Sequence, residues 1–340
     1  MIRDGSFSFD NITTYVGAIP GPRWLLATGF DRSMLKSEVL GNKRPVVLAG
    51  SSAGALRFAA WMQPEPEKSY EKLIEAYIAM HFSKKDTPET IMQSIRTVID
   101  SYVDDDALPF ALSNKRYRLA IMTARAKRFA ASNVRWLQRL GLGTAFACNA
   151  LRRQSIHRFF QRVVFHNSPI LPYFCLNHDF RGQAIFLNEA NFKHALLASA
   201  AVPLASTGVR DIYGAPRGMY RDGGLLDYHL NQQYTGQGAV TLLFNHQRHL
   251  IPTWMDKYLP SRQPPQEYLE HVLLIYPSDD FMRKLPYGQI PDRADFRKHA
   301  DNPMKRIRDW RQVVTVSEHL GDEFLELVES GRLPEVAERL

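Results

Sequence analysis

Pro45-Val46-Val47-Leu48-Ala49-Gly50-Ser51-Ser52-Ala53-Gly54 is the stretch that decides the architecture. Its first five residues are wholly apolar, as a strand is when both faces of its sheet are covered. Gly50 to Gly54 then fits G-x-S-x-G, a sharp strand-to-helix turn with serine at its apex. Such a turn leaves no room for side chains two residues to either side, which accounts for both glycines. It also aims the hydroxyl at a helix N-terminus, where free N–H groups and the helix dipole favour an oxyanion. Ala53 to Met62 has the composition of the expected helix, and Pro64 with Pro66 ends it.

The same alternation extends outward. Trp24 to Thr28 reads as a second buried strand and Ser33 to Leu40 as a brief helix. Two amphipathic helices follow the turn: one carries Tyr70, Leu73, Ile74, Tyr77 and Ile78, the other starts at Thr87-Pro88 and carries Ile91, Ile95, Val98 and Tyr102. Further strands are predicted over Tyr117 to Thr123, Ala184 to Leu187, Ala239 to Phe244 and His271 to Tyr276, with helices over Asn191 to Ser199 and Met304 to Gly331. Strands alternating with helices predict an α/β layered fold with a mostly parallel central sheet. The expected organisation is a single domain over 1–340, with 124–180 a basic helical cap inserted between strands and 300–340 a C-terminal helical segment.

A chain of 340 residues with 45% apolar and 23% charged residues has the composition of a soluble globular protein. Its apolar runs fall well short of the ~18 residues that span a bilayer. Met1 to Thr14 carries Asp4 and Asp10 and lacks the basic-then-apolar layout of a secretory signal. Cys148 and Cys175 are too few for a disulfide framework, so a cytoplasmic protein with free thiols is expected. The pairs His157/His166 and His246/His249 lack metal-ligand spacing, and neither a metal nor another cofactor is expected.

The net charge of +8 is unevenly spread. From Ala107 to His178 there is no Asp or Glu, while arginines alternate with bulky residues such as Phe129, Trp136, Leu140 and Phe159. Arg135, Arg139, Arg158 and Arg162 are the expected contacts to an anionic membrane surface, giving peripheral association. A solvated basic face over an ordinary core is the plainer alternative. No nucleic-acid module is recognisable, so nucleic acid is not an expected partner.

A second motif, Tyr220-Arg221-Asp222-Gly223-Gly224, places a carboxylate ahead of two glycines. The elbow Gly50 to Gly54, then Ala198-Ser199-Ala200-Ala201-Val202-Pro203, then Asp222-Gly223-Gly224 resemble the patatin-like phospholipases in type, order and spacing. The resemblance covers about Trp24 to Leu230. It implies a three-layer patatin-like sandwich and a lipid acyl hydrolase of the phospholipase A or lysophospholipase kind, with a Ser–Asp dyad, no catalytic histidine and no calcium. Carried over, Ser52 is the nucleophile, Asp222 its base, and Gly50, Gly54 and Gly223 shape the two turns. A carboxylate is a weak base unless it is partly desolvated and held against the hydroxyl.

One part departs from the family. Its glycine-rich loop, G-G-G-x-R/K-G, corresponds here to Thr28-Gly29-Phe30-Asp31-Arg32-Ser33, which retains Gly29 and Arg32. Gly29 and Phe30 are then the expected oxyanion donors, with Asp31 an unwelcome charge beside them. Two alternatives remain at this point: a Ser52–Asp222–His246 triad of the ordinary α/β-hydrolase order, and a catalytically silent relative that binds a membrane or a partner.

Overall fold

The computed structural model describes residues 5–83 and 85–340; the N-terminal Met1 to Asp4, including the Asp4 noted above, and Lys84 lie outside the described residues. Nine strands form one sheet: β1 (Ile12–Gly17), β2 (Val46–Ser51), β3 (Tyr117–Ala126), β4 (Phe160–His166), β5 (Gly182–Phe186), β6 (Val209–Arg210), β7 (Met219–Asp222), β8 (Val240–Phe244) and β9 (Val272–Ile275). The main path runs β5-β4-β3-β2-β1-β8-β9. Every pairing along it is parallel except β3 with β4.

Side chains alternate between two apolar layers, as the strand period requires. Tyr15, Val46 and Leu48 face the larger layer, built with the helices Thr28–Ser37, Ala53–Trp61, Pro66–Ala79 and Pro88–Tyr102. Val16, Ala49 and Met122 face the other, closed by Phe174, Leu230, Tyr234 and Leu250 from short helices and loops. The result is an α/β sandwich with helices on the sheet's faces.

β3 is long enough to serve two neighbours along one edge. Its first half pairs with β2 as far as Ser51 opposite Met122. The next residue, Thr123, is opposite Asp222 at the end of β7, which runs antiparallel to β3. β2 and β7 therefore approach end to end, and the residue after β2 meets the last residue of β7. That register, not loop chemistry, brings Ser52 to Asp222.

A buried polar cluster fixes the helix behind the elbow. Asp31 accepts from Tyr15 Oη at 2.7 Å, from Arg57 Nε at 2.7 Å and Nη2 at 2.8 Å, and also from the Tyr70 hydroxyl. Asp31 and Arg57 are fully buried. Such a pair survives in a core because each partner's hydrogen-bonding capacity is largely met by the other and by the tyrosines. Loss of water and the Asp31 charge raise the pKa of both tyrosines well above 10, so they donate at any ordinary pH. Asp31, expected to be an unwelcome charge near the site, is instead neutralised in the core.

Several expectations change. Trp24 to Thr28 is not a strand: Gly21–Ala27 is a 3-10 turn running into the helix Thr28–Ser37. An apolar run without alternation fits a buried helical segment as well as a strand. The first strand is instead Ile12–Gly17. Met304 to Gly331 divides into two helices, Pro303–Ser317 and Leu320–Glu329. The 124–180 segment is not a purely helical cap, because β4 lies inside it and sits between β3 and β5 in the sheet. The portion from Arg128 to Arg158, with the helix Arg135–Leu151 at its centre, adds no strand and packs Ala130, Leu142, Ala145 and Ile156 against Ala124, Ala126 and Phe160 of the sheet.

Candidate active site

Ser52 has φ 54° and ψ −125°, a conformation costly for any residue with a Cβ. The strain is held by packing on both sides of the turn. A Cβ on Gly54 would lie 1.7 Å from the Gly17 carbonyl oxygen, and one on Gly50 would lie 2.6 Å from the Ala55 nitrogen. Glycine is thus required at both flanking positions by close backbone approach. The Ser52 N–H donates to Ser199 Oγ at 2.9 Å, and Ser199 Oγ donates to the Met122 carbonyl at 2.7 Å. The Ala198–Pro203 stretch singled out in the sequence is therefore the brace that ties the elbow to β3. Ser51 Oγ donates to the Asp227 carbonyl at 2.9 Å, pinning the turn after β7 to the elbow.

Ser52 Oγ donates to Asp222 Oδ2 at 2.8 Å. The other carboxylate oxygen accepts the Gly224 N–H at 2.8 Å, and the Asp222 N–H donates to the Ala201 carbonyl at 3.0 Å. A Cβ on Gly223 would lie 2.2 Å from the Met122 carbonyl, so this glycine lets the turn close onto β3. Burial raises the Asp222 pKa above the ordinary carboxylate value; Arg293 and the bonds from Ser52 and Gly224 oppose that rise. A desolvated carboxylate aimed at a hydroxyl is a stronger base than one in water.

The expected oxyanion donors are corrected. The Gly29 N–H is turned to Ser317 Oγ at 3.2 Å, and Phe30 is fully buried, its ring against Tyr15, Phe244 and Phe324. Both lie inside the helix Thr28–Ser37, a full element beyond the end of β1. The backbone that borders Ser52 belongs to the loop leaving β1, where Pro20 and Gly21 line its cavities. Gly21 and Ala53 are each the first residue of a helical segment, and such positions leave an N–H with no carbonyl inside the segment. With β1 at Ile12–Gly17, the loop after the first strand holds Gly17, Pro20 and Gly21 in place of Gly29 and Phe30.

The triad alternative is not built. His246 lies against Arg23 (Nη1 to Nε2 3.5 Å) and Asn245 (Nδ1 to Oδ1 3.1 Å), and burial pushes its pKa down to about 3. Asp222 meets Ser52 directly. Arg162 also changes role: it is buried, donates to Asp227 from Nε at 2.7 Å and Nη2 at 2.9 Å, and cannot reach a membrane. Arg135, Arg139 and Arg158 are exposed as expected. Arg221 ties β7 to the basic segment, its Nη2 donating to the Ser132 carbonyl at 3.0 Å and to Asn133 Oδ1 at 2.6 Å.

Two openings meet at Ser52. One is an apolar cavity of about 200 Å³ running between the helices Pro66–Ala79 and Pro88–Tyr102, lined by Leu56, Tyr77, Met80, Ile91, Ile95 and Val98. The other is a narrow mouth bordered by Val202, Pro203, Tyr228, Trp254 and Arg293. Arg293 was not anticipated: it comes from the C-terminal third, far from either motif. Among the described residues there is no cluster of three or more His, Cys, Asp or Glu placed to hold a metal ion. No protein-family model and no curated protein matches this chain.

Proposed function

We propose that this chain is a serine acyl hydrolase that cleaves carboxylic esters of apolar acyl chains by a Ser52–Asp222 dyad. The observation that carries this reading is the 2.8 Å hydrogen bond from a backbone-strained Ser52 to a buried Asp222, at the end of an apolar cavity. Ser52 Oγ attacks the ester carbonyl while Asp222 accepts its proton. The N–H groups of Gly21 and Ala53 face the oxyanion as it forms. Asp222 returns the proton to the departing alcohol, leaving an acyl-Ser52 ester. Water, deprotonated by Asp222, then releases the carboxylic acid and restores the serine.

The acyl chain occupies the cavity beside Leu56 and Ile95, which supports a lipid-like ester over a small polar one. Maintained strain at Ser52 favours turnover over a silent scaffold, since a disused elbow has no reason to keep a costly backbone conformation. The protein works peripherally at a membrane surface, a reading supported by the exposed Trp136 and Phe129 beside Arg135 and Arg139 in the basic segment; no helix among the described residues is long and apolar enough to cross a bilayer. Hydrolysis of medium-chain p-nitrophenyl esters tests the reading. Wild type should turn over, and Ser52→Ala should fall by at least about 10³-fold; equal rates in the two proteins would discard the dyad.

A further inference from the structure

Arg293 stands where the apolar cavity and the mouth join, and it borders both together with Ser52. Its side chain lies across Gly21: a Cβ there would come within 2.9 Å of Arg293 Nε. Arg293 is exposed. Beside it, Arg23 is already committed, its Nη2 donating to Asp292 at 2.7 Å. Lys257 packs over the ring of Tyr228, which borders the mouth, with its Nζ 5.5 Å from the ring centre. Partial burial and the charges of Arg23 and Arg293 hold its ammonium below the usual lysine pKa. Among the described residues, neither Arg293 nor Lys257 has a carboxylate at ion-pair distance. One cation without an ion-pair partner thus lines the opening, and a second stands over a ring at its border, an arrangement that attracts an anion.

We propose that Arg293 and Lys257 form a phosphate subsite for the alcohol portion of the substrate, one that selects phosphomonoester headgroups over zwitterionic or neutral ones. The proposal deepens the acyl-hydrolase reading and rests on it. With the acyl chain in the apolar cavity, the alcohol side of the scissile bond is left at the mouth, beside Arg293 and within reach of Lys257 over Tyr228. A guanidinium presents a planar fork that fits two phosphate oxygens, and an ammonium adds a compact second charge. A phosphomonoester is close to a dianion at neutral pH and matches both cations. A phosphocholine carries its own cation and needs only one of them.

Calorimetry on full-length Ser52→Ala, which binds without turnover, tests this with n-octyl phosphate, octylphosphocholine and inorganic phosphate below micellar concentrations. Octyl phosphate should bind roughly 10- to 100-fold tighter than octylphosphocholine. Adding Arg293→Gln should close that gap, and Arg293→Lys should restore part of it. Inorganic phosphate should bind at least ~10-fold more weakly than octyl phosphate, for want of the chain. Equal affinity for the two amphiphiles, or a gap that survives Arg293→Gln, overturns the proposal. Inorganic phosphate bound as tightly as octyl phosphate overturns it too, by making this a site for free phosphate. Ester hydrolysis by the wild-type protein is read separately, so a failed subsite and a failed hydrolase are distinguishable.

Discussion

At the scale of single residues, Asp222 is a buried carboxylate whose proposed role as a base depends on its removal from water. Burial raises its pKa, so it stays protonated to a higher pH than an ordinary carboxylate. The protonated form cannot accept the Ser52 proton. Activity should therefore fall as pH drops through the raised value, with the acid limb of kcat/KM above the ~3.9 of a free aspartate. A limb at or below that value would contradict the burial argument. For stability the sign is opposite to that of a salt-bridged aspartate: the neutral form is the one the fold prefers, so stability is highest below the unfolded pKa and declines as pH rises through the folded value. Asp222→Asn should lose turnover yet melt no lower than wild type at pH 7, with the two curves converging below about pH 4. Ser52 and Asp222 were legible in the sequence because their glycine-flanked motifs are local. Arg293 was not, because nothing near it in the chain says which cavity it lines.

At the scale of elements, two pieces carry the site's rigidity and its surroundings. The helix Ala53–Trp61 is tied down through Arg57 to Asp31, and Tyr15 Oη lies 2.9 Å from Arg57 Nη2. Arg57→Met removes one partner of a fully buried pair and should cost about 3–5 kcal/mol of unfolding free energy in denaturant titrations. A loss under 1 kcal/mol would mean the cluster is dispensable. The helix Arg135–Leu151 is the other piece. Gln138 holds it to the site, its Oε1 accepting the Leu204 N–H at 2.8 Å, one residue past the Pro203 that borders the mouth. Its outer face exposes Trp136 and Leu140. Replacing Arg135, Arg139 and Trp136 together should weaken sedimentation with anionic vesicles by roughly 30-fold or more, an effect that fades with salt; unchanged vesicle binding would leave this helix as a merely solvated face. Element reading from sequence succeeded where flanking turns bounded the apolar run, as at Val46–Ser51 and Val240–Phe244. It failed at Phe160–His166, whose arginine-rich surroundings masked a core strand, since Arg162 is neutralised by an aspartate 65 residues away.

At the scale of the whole molecule, the decisive arrangement is the meeting of β2 and β7 on the long strand β3. Ser51 ends one pairing at Met122 and Asp222 begins the other at Thr123. The α/β class and its mostly parallel sheet followed from strand–helix alternation, but this junction did not, since long-range register leaves no local trace. The first strand ends at Gly17, a whole element before Gly29 and Phe30, because the apolar run Trp24 to Thr28 reads equally well as a buried helical segment or a strand. The central claim is that this junction yields an activated serine, and fluorophosphonate labelling read by intact mass tests it most directly. The expected result is a single adduct on wild type that is absent from Ser52→Ala and strongly slowed in Asp222→Asn. Adduct formation at the same rate in folded Asp222→Asn, or none on folded wild type with or without anionic vesicles, would contradict it.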